Sequence, residues 1–293
     1  MLTFTLISLL SATCPADNEI VIEETIDLKI PDSVKSIGIN AFADCTGLTS
    51  LVIGNGVETI NNGAFLNCIS IAGSLTLPSS LKSIGASAFE SLENITGTLT
   101  IPNSVTIINQ ATFKNCLKIE TLVLHGGLTS IGKESFYNCE SLRLSSLIIP
   151  SSCERIGNYS FALWTNLYYL VIGEKVESIG DGAFLNCTEL ALTHSNDIVI
   201  IPDNVLTIGS YVFYGCSSIG EVTFSKNLTE IPSYAFEECT SLTSIEIPEK
   251  IASINDYAFY HCSRLSSIDL GEIKNIKSHA FAECTYFDYT KIN

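Results

Sequence analysis

A chain of 293 residues, 46% hydrophobic and only 16% charged, can bury a large core and is too apolar to stay unfolded. Acidic residues outnumber basic ones by 31 to 15, and the formal charge of −16 argues against a nucleic-acid partner, because it repels phosphate backbones. The acidity is read as solvation of an otherwise apolar array.

Residues 1–12, Met-Leu-Thr-Phe-Thr-Leu-Ile-Ser-Leu-Leu-Ser-Ala, form an apolar stretch of signal-peptide-core length, too short to cross a bilayer. Ser11 and Ala12 place small residues near a cleavage point, although no Lys or Arg precedes the run. Residues 1–13 are therefore read as a leader, with a buried first strand as the alternative. Cys14 lies outside the pattern that follows and only faintly echoes a lipoprotein anchor.

From about residue 18 to 287 one unit recurs. Eleven phenylalanines mark it: Phe42, Phe65, Phe89, Phe113, Phe136, Phe161, Phe184, Phe213, Phe236, Phe259 and Phe281. They stand 23, 24, 24, 23, 25, 23, 29, 23, 23 and 22 residues apart, with an isoleucine five residues before each. A fixed period of this size signals stacked coils, each burying its apolar side only against its neighbours. The expected fold is an α/β repeat solenoid, a curved right-handed superhelix with one short strand and one short helical or 3₁₀ segment per coil of about 23 residues. Residues 288–293 form a tail.

Each unit opens with a short alternating run, such as Leu51-Val52-Ile53 or Leu99-Thr100-Ile101. Proline or glycine often follows (Gly54, Pro78, Pro102, Pro150, Gly173, Pro202, Pro248) and ends the strand. After the isoleucine comes a frequent glycine (Gly38, Gly85, Gly132, Gly157, Gly180, Gly209), read as permitting a turn. The phenylalanine, the residue at plus three and a Leu or Ile at plus six are read as one face of a helical turn. Nine of the 11 cysteines occupy the plus-three slot. Leu92 and Trp164 share it, so the slot is read as needing apolar volume, and its thiols as buried and free. Cys153 takes an aliphatic slot eight residues before Phe161.

About six extra residues, 191–196, precede Phe213 and are expected to bulge as a loop containing His194. After Cys284 the aromatic run Tyr286-Phe287-Asp288-Tyr289 either caps the array or marks a fragment.

Alternation points Leu51, Leu75, Leu99, Leu122, Leu147 and Leu170 into the core. It points Val52, Thr76, Thr100, Val123, Ile148, Val171, Ile200 and Thr223 outward. Those eight, continued by Glu246, form one weakly polar β-branched strand face and the candidate ligand-binding surface. Ser50, Ser74, Thr98, Thr121, Ser146 and Tyr169 are expected beside it.

The frame Ile179-Gly180-Asp181-Gly182-Ala183-Phe184-Leu185-Asn186-Cys187-Thr188-Glu189-Leu190, preceded elsewhere by runs such as Leu48-Thr-Ser-Leu51-Val-Ile53, resembles the BspA-like, Treponema-pallidum-type leucine-rich repeat family. The resemblance covers about residues 20–287. It implies an extracellular adhesin or ligand-binding protein, in some members directed at host matrix proteins, and it brings no catalytic residues.

The residues themselves point the same way. His125, His194, His261 and His279 fall at different repeat positions, and no HExxH, P-loop or Gly-x-Ser-x-Gly appears. Gly54-Asn55-Gly56 is a loop and not a phosphate cradle. No cofactor or metal is expected. Asn94, Asn158, Asn186 and Asn227 are glycosylation acceptors if the chain takes a eukaryotic secretory route. The chain is read as a non-enzymatic, secreted or cell-surface protein presenting its strand face to a host or matrix protein or a cell-surface glycan. A structural surface antigen without a ligand and an intracellular repeat scaffold are the alternatives.

Overall fold

The structure, a computed structural model, describes residues 26–140, 146–191, 198–270, 273–288 and 290. The leader with Cys14, the start of the array before Ile26, residues 192–196 of the expected loop with His194, and most of the tail lie outside the described residues.

The described chain is a solenoid of stacked coils with three sides. One side holds strands of two to seven residues, among them Ile26–Lys29, Leu48–Val52, Asn94–Thr100, Leu147–Ile148, Ile198–Ile200 and Ser267–Asp269. They pair in parallel with the coil above and below. This sheet is broken into four pieces, and two of its three breaks follow the Phe spacings of 25 and 29, where extra residues intervene before the strand. A second side stacks two-residue strands that end on the repeat isoleucine, from Ser36–Ile37 to Asn275–Ile276. Between the two sides six prolines turn the chain: the Pro31, Pro78, Pro102, Pro150, Pro202 and Pro248 carbonyls accept the N–H three residues on. This agrees with proline as a strand stop.

The third side corrects the sequence reading. Among the described residues no coil contains an α-helix. Around Phe42 the N–H groups of Ala41, Ala43 and Cys45 close turns on the carbonyls of Gly38, Asn40 and Phe42, at 3.2–3.3 Å. The alternate N–H groups of Asn40, Phe42 and Asp44 leave the coil for the carbonyls of Asn62, Ala64 and Leu66, at 3.0, 2.8 and 2.7 Å. A helix would send every N–H to the residue four back; here half of them knit successive coils together. The geometry requires a left-handed residue on each side of the phenylalanine. All eleven phenylalanines have φ between 50° and 70° at minus two and plus two. The Phe-to-Cys spacing of three fits a helix and a three-residue turn bond equally, so periodicity alone could not separate them.

The glycine after the isoleucine also has another reason. Its φ is not positive at Gly157 or Gly209. A Cβ at Gly157 would lie 2.5 Å from the carbonyl carbon of Gly132, and one at Gly209 would lie 2.3 Å from the Asp181 nitrogen. The glycine lets one coil's backbone press on the last.

The core is one contiguous column. The eleven phenylalanine rings stack in order, at centroid distances of 5.2–5.7 Å and interplanar angles of 5–21°. Phe287 adds a twelfth ring, 4.8 Å from Phe281. The inward leucines Leu51, Leu75, Leu99, Leu122, Leu147 and Leu170 are all buried.

Candidate functional site

On the strand side, seven of the eight residues read as outward are exposed and Val171 is half-buried. Thr76 lies just past its coil's short strand, Ala72–Ser74. Cross-strand register places Thr100 beside Val123, Ile148 beside Val171, and Ile200 beside Thr223. The stripe is apolar for its position: Val52, Ile148 and Ile200 are 53%, 59% and 59% exposed, and Tyr169 stands exposed in the neighbouring row. Charge bounds it at both ends, with Lys29 beside Val52 and Glu246 beside Asp269.

The turn side carries features that the sequence reading missed. The residues two before the core phenylalanine are Tyr211, Tyr234, Tyr257 and His279 in the last four coils, all left-handed. Their rings form a second, outer column with centroids 4.6, 5.1 and 4.9 Å apart. Tyr159 occupies the same slot, and Gly182 in the coil between leaves room for its ring. The signal was in the sequence, as tyrosine recurring at a fixed offset from phenylalanine. Burial, then Tyr234 and Glu237, push the Tyr211 hydroxyl above its usual range. Burial, then Glu238 and Glu237, do the same to Tyr214.

Further up this side, Lys114 Nζ donates to Glu134 Oε2 at 2.6 Å and lies 5.4 Å from the centre of the Tyr137 ring. The hydrogen bond from Lys114 is the main reason the Glu134 carboxyl titrates below the ordinary range. Glu237 goes the other way, raised by burial and by its neighbour Glu238.

Behind the turn side sit the thiols. Cys68, Cys116, Cys139, Cys187, Cys216, Cys239, Cys262 and Cys284 each donate Sγ–H to the carbonyl of the phenylalanine one coil back, at 2.9–3.4 Å. Trp164 does the same with Nε1–H, reaching the Phe136 oxygen at 2.7 Å. Nine of the eleven occupants of this slot are thus buried donors as well as volume, and Leu92 and the disulfide-bonded Cys45 have no hydrogen to donate. Nine described cysteines are free and buried, and Cys45 is disulfide-bonded. Burial pushes Cys68 and Cys139 up to about 12 and Cys153 to about 11, so these thiols are not nucleophiles at neutral pH.

Among the described residues no three of His, Cys, Asp and Glu converge as metal ligands, and no helix is long and apolar enough to cross a membrane. Of the acceptor asparagines, Asn94 and Asn227 donate Nδ2–H to the backbone carbonyls of Ile69 and Asp203, and Asn158 donates to Asp181.

No curated protein matches the chain. A solved leucine rich cell surface protein from Faecalibacterium prausnitzii A2-165 is similar at 28% identity, covering 89% of this chain and 77% of that one, with a TM-score of 0.57. A leucine-rich repeat protein from Bacteroides ovatus shares the fold at 23% identity, covering 92% and 90%, with a TM-score of 0.55. The T. pallidum leucine rich repeat protein is 25% identical over 66% of this chain and 84% of that one, with a TM-score of 0.51. The sequence also matches the BspA type leucine rich repeat region over residues 23–143, 94–198 and 191–293. A repeat whose every coil shows the Phe column and the turn ladder, matched along its length by that pattern, belongs to the BspA type leucine-rich repeat family.

Proposed function

We propose that this chain is a non-enzymatic, secreted or cell-surface adhesin or antigen whose strand face takes a host or matrix protein or a cell-surface glycan. The observation that carries the reading is the exposed stripe from Val52 to Thr223. Solvent-exposed valines and isoleucines recur along it, and charges appear only at its ends. Contiguous apolar surface of this kind marks interaction sites, and solenoids bind through extended open faces. The extracellular placement draws on the apolar stretch at 1–13 and on the cell-surface description of the Faecalibacterium relative.

The test is a triple charge substitution, Thr100→Lys, Val123→Lys and Ile148→Lys, assayed for adhesion to immobilised matrix and to host cells, with fold checked by circular dichroism. Adhesion should fall by about tenfold or more, as expected when charge is buried against an apolar contact. Full adhesion by a folded variant removes the strand face as the site. N-terminal sequencing of the mature protein checks the leader; an intact Met1 would favour the intracellular scaffold.

A further inference from the structure

The strand face is divided between two kinds of surface. Through its middle the outward groups are branched hydrocarbon, with Ile148 and Ile200 each 59% exposed. Past Ile200 it turns acidic, across the sheet of Ile198–Ile200, Glu221–Thr223, Ser244–Glu246 and Ser267–Asp269. Register sets Glu221 beside Ile198 and Glu246 beside Asp269. Like charges on paired strands weaken a sheet, and elsewhere the chain neutralises such a group. On the second side Glu58 lies between Lys35 and Lys82, one coil away on either hand, at 3.4 and 2.6 Å. The Lys82 hydrogen bond is the first reason its carboxyl titrates below the ordinary range. Among the described residues no lysine or arginine pairs with Glu221 or Glu246.

Resting on the strand-face reading above, we propose that the partner is a polypeptide and not a glycan. It presents an extended segment in which aliphatic side chains run into lysine or arginine. The aliphatic part covers Ile148 and Ile200, and the basic part meets Glu246 and Asp269. The hydrocarbon excludes the glycan, because sugar hydroxyls laid on Ile148 and Ile200 lose water and gain no hydrogen-bond partner. Aliphatic side chains lose nothing there and bury apolar area on both partners. Charge fixes the direction of the segment, since a cation is attracted to the Glu246 end of the face and an anion is repelled by it. Spacing fits as well. Ile200, Thr223, Glu246 and Asp269 follow one another on four paired strands. Three strand steps span roughly 14 Å, about four residues of an extended chain, and residues two and four apart in such a chain share one side. An aliphatic residue on Ile200 therefore sets basic residues two and four positions on against Glu246 and Asp269.

The experiment uses the full chain and three fluorescein-labelled peptides with glycine and serine at alternate positions, followed by anisotropy. The first carries two isoleucines and then two lysines in the remaining positions. The second has glutamate for both lysines, and the third has serine for both isoleucines. The first should bind at least about tenfold tighter than either control at low ionic strength, and its advantage over the glutamate peptide should shrink as salt rises. The pair Glu246→Lys with Asp269→Lys, checked by circular dichroism, should reverse the order and make the glutamate peptide the tighter of the two charged ones. Glu58→Gln, an acidic position on the second side, should leave every affinity unchanged. Equal affinity for the three peptides, or none for any of them, overturns the proposal. So does an unreversed order in the folded lysine pair, or loss of binding in Glu58→Gln. Adhesion abolished by the triple strand-face variant together with any of these results leaves the strand face as the site and removes the basic polypeptide as its partner.

Discussion

The strand side and the turn side belong to the same coils but constrain their residues in different ways. On the strand side, outward positions accept Lys29, Val52, Thr100, Ile148 and Glu246 with the same backbone. Only the inward residues must be apolar, because the ladder is made by backbone groups that every residue carries. On the turn side, each position has a narrower requirement. The residue at minus one is small, the residue at plus three is usually a donor, and those at minus two and plus two must tolerate left-handed φ. For a non-glycine residue that conformation costs roughly 1–2 kcal/mol, and it persists because the inter-coil hydrogen bonds and the ring column hold it. A sheet face is thus free to vary, while the wall opposite carries the fold.

The contrast can be broken most severely with pH. Burial raises eight described thiols above the ordinary value of 9.0, Cys139 and Cys284 to about 12 among them. A raised folded value means that the native state keeps a proton the unfolded chain releases. This stability is fully present below pH 9 and is lost as pH climbs from 9 toward 12. Each thiol contributes a slope of about 1.4 kcal/mol per pH unit in that window. Eight together exceed the stability of an ordinary domain within a unit or two. Urea midpoints should therefore be flat from pH 7 to 8, begin to fall near pH 9 and collapse by about pH 10.5. An unchanged midpoint at pH 11 would show that the thiols are not buried as described.

A smaller effect sharpens the comparison at single residues. Trp164→Phe keeps an aromatic ring behind the turn side but removes the N–H that reaches the Phe136 carbonyl. It should cost about 2 kcal/mol, from a lost buried hydrogen bond and a partly emptied slot. Thr100→Lys, exposed on the strand side, should change stability by less than about 0.5 kcal/mol. Equal midpoint shifts in urea would erase the distinction between the two walls.

Much of this was legible beforehand, and what was not has a common cause. The outward positions of the strand side follow from a period of two, which no other structure mimics. The phenylalanine column follows from the repeat itself. The turn ladder was read as helix because Phe42 and Cys45 lie three apart in either structure. Deciding between them needs the direction of each N–H, which is set by the neighbouring coil and not by local sequence. The donor role of Cys139 stayed hidden because a thiol counts as apolar in any hydropathy pattern, and Trp164 looked like a volume substitute until its Nε1 was placed. The outer tyrosine column is a different case. Tyr211, Tyr234 and Tyr257 keep register with the core rings and could have been found by aligning the units at minus two.

The finest test concerns the small slot before the phenylalanine. Ala64, Ala88 and Ala183 fill it in three coils, while Ser135 and Ser160 fill it in two adjacent ones. Both serine hydroxyls are buried without a hydrogen-bond partner. Thr112, one coil earlier, has a partner, donating Oγ1–H to the Asn109 carbonyl at 2.9 Å. The carbonyls at all three positions make the same bond, accepting the N–H of Phe89, Phe113 and Phe136, and the Ser135 and Ser160 N–H groups close turns on the Gly132 and Gly157 carbonyls. Substitution to alanine therefore changes only the side chain. An unpartnered buried hydroxyl destabilises by about 1 kcal/mol or more, so Ser135→Ala and Ser160→Ala should each raise the urea midpoint, by the equivalent of about 1 kcal/mol. Thr112→Ala should lower it, because it deletes a made bond along with a methyl group. A drop in midpoint for either serine variant would mean that its hydroxyl is bonded in solution, and that this slot is chosen for chemistry and not for size.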